Sequence, residues 1–155
     1  MTSAEPTPVR PSDMVDGALF DAVATEHAAI YGYGIVSAHS EPEINYLVAD
    51  AMAEHRRRRE EAIALLEEQG VTPPLPAAGY RLPTDVDDPA AAAELAVRME
   101  EDGATAWRAV VEHVTDESVR AFAVAAMIET AVTAARWRAA RKTRPVAVPF
   151  PGGTE

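Results

Sequence analysis

Residues 119–138 read VRAFAVAAMIETAVTAARWR, a run that is apolar on nearly every side of a helix and carries one carboxylate, Glu129, at its middle. A helix without a broad polar stripe must be covered by other elements on most sides. The run is therefore expected to be a central helix of a bundle. Arg120, Glu129 and Arg136 interrupt every window of about 20 residues that a bilayer would need, so no membrane span is expected. A buried carboxylate is costly unless it is paired, ligated or protonated, which raises the question of what faces Glu129.

Working outward, Thr115-Asp116-Glu117 supplies a cap for this helix, which fades near Arg141. The helix before it begins at Asp88-Pro89, a cap followed by proline in the first turn. Its inward line is Ala92, Ala96, Met99, Glu100, Gly103, Trp107 and Val110. Residues 70–88 hold four prolines and two glycines and cannot be helical. Extended, such a segment reaches about 60 Å, against about 38 Å for a helix of about 25 residues, so it can cross the whole bundle. The preceding helix is expected from the capping box Ser40-Glu41-Pro42-Glu43 to the stop at Gly70. Its seam is Ile44, Leu47, Val48, Ala51, His55, Ala62, Leu65 and Leu66. The run Arg56 to Arg59, bracketed by Glu54, Glu60 and Glu61, reads as a solvated, salt-bridged face. The first helix is capped by Ser12 or Asp13 and turns Leu19, Val23, Glu26, Ile30, Tyr33 and Ser37 inward, with His27 about 100° away. Gly32 and Gly34 weaken it unless another helix approaches closely.

At 155 residues the chain is expected to be a single domain, residues 1–155, with its bundle over about 13–141 and an extended tail from 142 to 155. Three prolines before residue 12 predict a loose or surface-docked start. In the C-terminal tail Val146, Val148 and Phe150 are expected to dock on the bundle or on a partner. No cysteine is present, which excludes disulfides, thiolate catalysis and cysteine-held zinc. A net charge of -11 and a pI near 4.8 work against nucleic-acid binding. The first residues carry neither a basic nor an apolar signal region, so a cytoplasmic location is the expectation.

Tight turns after the first and third helices and a long connection between the second and third predict an all-α, ferritin-like four-helix bundle with one long crossover between helices 2 and 3. Glu26, His55, Glu100 and Glu129 then arrive one from each helix, each about 12 to 15 residues beyond its cap and so near mid-height. Converging carboxylates raise one another's pKa values unless a metal, an arginine or shared protons intervene. His55 can equally be a hydrogen-bonded core residue, and a seam glutamate can reach an arginine such as Arg58 or Arg136.

On the helix count, the crossover and the placement of Glu26, Met52-Ala-Glu-His55, Glu100 and Glu129-Thr-Ala-Val132, residues 13–141 resemble the ferritin-like superfamily. Within it they are similar to an uncharacterised bacterial ferritin-like family, a domain of unknown function. The resemblance implies a metal site in which the first and third helices each supply Glu and the second and fourth each supply Glu-x-x-His. Glu26 and Glu100 match that pattern. Met52 stands where the second helix would carry Glu, and Val132 where the fourth would carry His.

Two readings follow. In the first, Glu26, His55, Glu100 and Glu129 bind iron or manganese, ions suited to oxygen and imidazole ligands, with a metal-dependent oxidoreductase as an open extension. In the second, a metal-free vestigial bundle serves as a binding or scaffold module, and Glu129 contacts an arginine or another carboxyl. A two-fold homodimer is the simplest assembly, since the proline-rich tail after Arg141 cannot form the extra helix of a storage cage.

Overall fold

The computed structural model describes residues 7–153, so the expectations for residues 1–6 and 154–155 lie outside the described part. Among the described residues the chain is all-helical, with α1 Met14–His39, α2 Asn45–Glu68, α3 Pro89–His113 and α4 Glu117–Ala140, and a 3-10 turn over Pro42–Ile44. Three boundaries form as the sequence reads. The Asp13 carboxylate accepts the N–H groups of Val15 and Asp16, Asp88 accepts that of Ala91 ahead of Pro89, and Asp116 accepts that of Val119. α2 ends in a Schellman turn in which Val71 N–H reaches the Leu66 carbonyl and Gly70 N–H that of Glu67. Gly70 there takes φ 71°, a conformation that favours glycine.

The start of α2 departs from the capping-box expectation. The Ser40 hydroxyl donates back to the Val36 carbonyl and so finishes α1. α2 is entered through the 3-10 turn with no side-chain cap. Proline at 42 removes a donor that would otherwise need a partner, which makes the missing cap less costly.

Two apolar clusters fill the bundle. One joins Leu19 and Val23 of α1, Ala62 and Leu66 of α2, Trp107 and Val110 of α3, and Ala123 and Ala126 of α4. The other joins Tyr33 and Val36, Leu47 and Val48, Leu95 and Met99, and Trp137. The segment between α2 and α3 lies along α1: Val71 packs on the first cluster, the Pro74 carbonyl meets His27, Tyr80 packs on Tyr31, and Leu82 and Val86 join the second cluster. His27, expected away from the core, is buried by this segment, whereas Ser37 is exposed because Val36 takes the inward position. Gly32 is a close-approach residue, since an added Cβ would strike Met99 Sδ; Gly34 has open space beside it.

The expectation that α4 is central is corrected. α4 packs closely on α3 and only sparsely on α2, and its outer face, including Ile128 and Val132, is exposed. An 18-residue window of this helix reaches a mean hydropathy of 1.3, so by length and composition alone it could cross a membrane, yet Glu129 and Arg138 tie it to α2 and α3 through ion pairs.

Both ends of the described chain touch the bundle, although Phe150, expected to dock, is exposed. Arg10 pairs with Asp21. The C-terminal segment lies in the groove between α3 and α4, where Val148, Pro151 and Gly152 line a small space with Ala104, Ala131 and Ala134. Gly152 has φ 72°, and a Cβ there would come within 2.5 Å of the Ala104 carbonyl oxygen. Gly152→Ala should therefore strain the docked tail by about 1–3 kcal/mol. Limited proteolysis after Arg141 and Lys142 is expected to accelerate while α1–α4 stay intact; unchanged protection would show that the tail is not held through this contact.

Candidate functional site

The stripe that α2 turns inward runs Ala51, His55, Arg58, Ala62, Leu66, at steps of four, three, four and four residues. Arg58 is thus part of the seam and is 1% exposed, which corrects its assignment to a solvated face. Its neighbours do behave as expected: Arg57 holds Glu54 and Glu61, and Arg59 holds Glu60, near the surface. The signal was the gap in the stripe between His55 and Ala62, which only residue 58 or 59 could fill.

Around Arg58 the four helices bring together most of the residues picked out from sequence. His55 sits between two carboxylates, with Nδ1 2.5 Å from Glu26 Oε2 and Nε2 3.1 Å from Glu100 Oε1. Arg58 Nε donates to Glu26 Oε1 at 3.1 Å, which also accepts the Trp107 indole N–H at 2.7 Å. The Tyr33 hydroxyl donates to Glu100 Oε1 at 2.5 Å and accepts the Trp137 indole N–H at 3.0 Å. Glu26, His55 and Glu100 are each 1% exposed.

Glu129 is placed differently. Its side chain is 37% exposed at the edge between α4 and α2, where it accepts Arg57 Nη2 at 2.7 Å and Arg58 Nη1 at 3.2 Å. It reaches the buried group only through Arg58. Thr130 takes the inward position beside it and bonds its own helix carbonyls. Val132 is exposed and fills no place in the core, while Met52 is half-buried against the second cluster.

The protons can be assigned from these contacts. A separation of 2.5 Å between Nδ1 and Oε2 requires a proton between them, and Nε2 meets a second carboxylate, so His55 donates from both nitrogens. Arg58 Nη2, 3.0 Å from Nδ1, is then a neighbouring cation rather than a donor to it. Two carboxylates and two cations make a buried group with no net charge, as burial in low dielectric demands. Burial pushes His55 down, but the hydrogen bonds and charges of Glu100 and Glu26 outweigh it and raise its pKa to about 9. Burial pushes Glu26 up, and His55, Arg58 and Trp107 more than reverse this, leaving it below the ordinary carboxylate value. Burial and the adjacent Glu100 hold the Tyr33 phenol well above its usual range.

Most donor atoms that a metal ion would need are already engaged. Both Glu26 oxygens, both His55 nitrogens and Glu100 Oε1 already hold hydrogen bonds, and the Arg58 guanidinium lies where a cation would have to balance Glu26 and Glu129. Among the described residues only Glu100 Oε2 is a buried side-chain polar atom without a partner. No group of three or more His, Asp or Glu side chains in the described residues is arranged to hold a metal ion.

The fold and this site define an all-helical bundle built around a neutral buried ion network. The family described as "Domain of unknown function (DUF4439)" matches residues 18–155, and the chain belongs to that family. A crystal structure of a conserved hypothetical protein from Mycobacterium tuberculosis is 56% identical, with a TM-score of 0.82 over 84% of this chain and 98% of that one. A search of curated proteins gives no match.

His55 titrates from 6.5 in the unfolded chain to about 9 in the fold. A raised value means its contribution is fully present below pH 6.5 and is lost as pH climbs through about 9. At about 1.4 kcal/mol per pKa unit this is on the order of 3 kcal/mol. The lowered Glu26 value acts on the acid side, where its contribution is lost as pH falls below the ordinary range. Thermal melts are expected to peak between about pH 5 and 6.5 and to decline toward pH 9, and His55→Gln should flatten the alkaline limb. An alkaline limb of equal slope in His55→Gln would remove His55 as its source.

Proposed function

We propose that this chain is a ferritin-like bundle in which an internal arginine has taken over the role of the metal, and that it works as a metal-free binding or scaffold module. The topology is supported by the two apolar clusters. One unites the start of α1 and of α4 with the end of α2 and of α3; the other unites the opposite ends. On that reading α2 and α3 run parallel, and the segment along α1 is the crossover between them. The observation that carries the functional reading is Arg58, buried in the seam and bonded to both Glu26 and Glu129. A guanidinium there neutralises the carboxylates without an ion from solution.

Chelator treatment should leave the melting temperature unchanged, because no ligand binding the native state would be removed. Arg58→Met should cost about 3–5 kcal/mol, since it leaves buried Glu26 without its permanent cation. Iron(II) or manganese(II) loading is expected to leave less than about a tenth of an ion per chain, far below the occupancy of a structural or catalytic site. The partnerless Glu100 Oε2 favours the other reading, a site for iron or manganese. Near-stoichiometric metal that is lost in Glu100→Gln, with a chelator-sensitive melting temperature, would replace the proposal with that one.

A further inference from the structure

α4 leaves one long face uncovered. Ala123, Thr130 and Trp137 point into the bundle and are fully buried. On the opposite side Ala121, Ala125, Ile128, Val132, Ala135 and Ala139 follow one another at alternating steps of four and three residues. That alternation is the seam spacing of a coiled coil. Ile128 is 51% and Val132 44% exposed; Ala121, Ala125 and Ala139 are exposed and Ala135 half-buried. α2 approaches one flank at Glu129, and the C-terminal segment occupies the other beside Ala131 and Ala134. Neither covers the seam.

The seam reads the same from both ends. About Thr130, Ile128 mirrors Val132, Ala125 mirrors Ala135, and Ala121 mirrors Ala139, so bulk lies at the centre and alanine at both ends. We infer that this face packs against α4 of a second copy of the chain, the two helices antiparallel about a two-fold axis at Thr130. In antiparallel pairing each large residue meets the other copy's large residue, and the alanine layers let the helix axes approach closely.

Charge selects this direction over the parallel one. α4 starts at exposed Asp116 and Glu117 and is followed by exposed Arg141 and Lys142. Antiparallel packing brings each acidic start level with the partner copy's basic end, whereas parallel packing would stack like charges at both ends. Glu129, near the axis, is already neutralised by Arg57 and Arg58.

The area sets the strength. A seam from Ala121 to Ala139 is about 27 Å long and about 10 Å wide, and buries on the order of 300 Å² per partner. A stable interface buries roughly 800 Å² a side, so the dimer formed by this face is a weak one.

Sedimentation equilibrium of the full chain from about 1 to about 500 µM, concentrations that reach weak association, should show the mass rising from 16.6 kDa toward twice that value. Ile128→Arg should weaken association at least about tenfold with the helical circular dichroism and melting temperature of the monomer unchanged, because Ile128 is 51% exposed and belongs to neither apolar cluster. Direction is read with single thiols, which the cysteine-free chain lets stand alone. An equimolar mixture of Ile128→Cys and Val132→Cys should oxidise mainly to the mixed disulfide-linked dimer. A monomer across the whole concentration range, a dimer that Ile128→Arg leaves intact, or predominantly like-with-like disulfides would each overturn the inference. Flotation of a monomeric chain with lipid vesicles, abolished by Ile128→Arg, would do so too and assign the face to a membrane.

Discussion

The placement of Arg58 is the constraint on which the rest of the core depends. Its guanidinium lies among side chains from α1, α2 and α4 and is almost without solvent, so its charge must be balanced within the protein. Glu26 provides that balance directly. His55 then provides the cation that Glu100 needs, and Trp107 and Trp137 donate their indole N–H groups into the same network. The aromatic residues at mid-bundle therefore have a polar task as well as an apolar one. Such a network adds little net stability over a well-packed apolar core, but it is intolerant of deletion because any removed partner strands a buried charge or donor.

The same network accounts for how the helices are joined. α1 and α3 meet through Glu26 with Trp107 and Tyr33 with Glu100, α1 and α2 through His55 and Arg58, and α2 and α4 through the arginine pair on Glu129. The last junction is mostly ionic, since α2 and α4 share few close contacts. Glu129 at this junction is partly exposed, and on the side of α4 turned away from the bundle the apolar seam faces outward.

Much of this was legible in the sequence. Every inward residue expected of α3 is buried, because that helix separates an apolar stripe from a charged face and its Asp88-Pro89 start is unambiguous. Glu26, His55 and Glu100 were found for the same reason: each falls on a stripe anchored by caps and apolar neighbours. Two misreadings have specific physical causes. A helix apolar on all sides cannot reveal which side is covered, so α4 read as central and Glu129 as buried, whereas alanine-rich exposed faces cost little to leave in water. Arg58 was absorbed into a run of four arginines whose other members are solvated, although its spacing from His55 and Ala62 marked it as inward. Contacts made by irregular chain, such as the Pro74 carbonyl on His27, have no periodic signature and could not be anticipated.

Arg58 and His55 are the cations that balance the buried carboxylates in this structure. Nitrogen-15 NMR of the His55 ring tests it most directly. Both ring nitrogens are expected to be protonated at pH 7, to remain so until the pH approaches about 9, and to be unaffected by added manganese(II). A His55 ring with one unprotonated nitrogen at pH 7, or one whose signals manganese(II) selectively broadens, would contradict it.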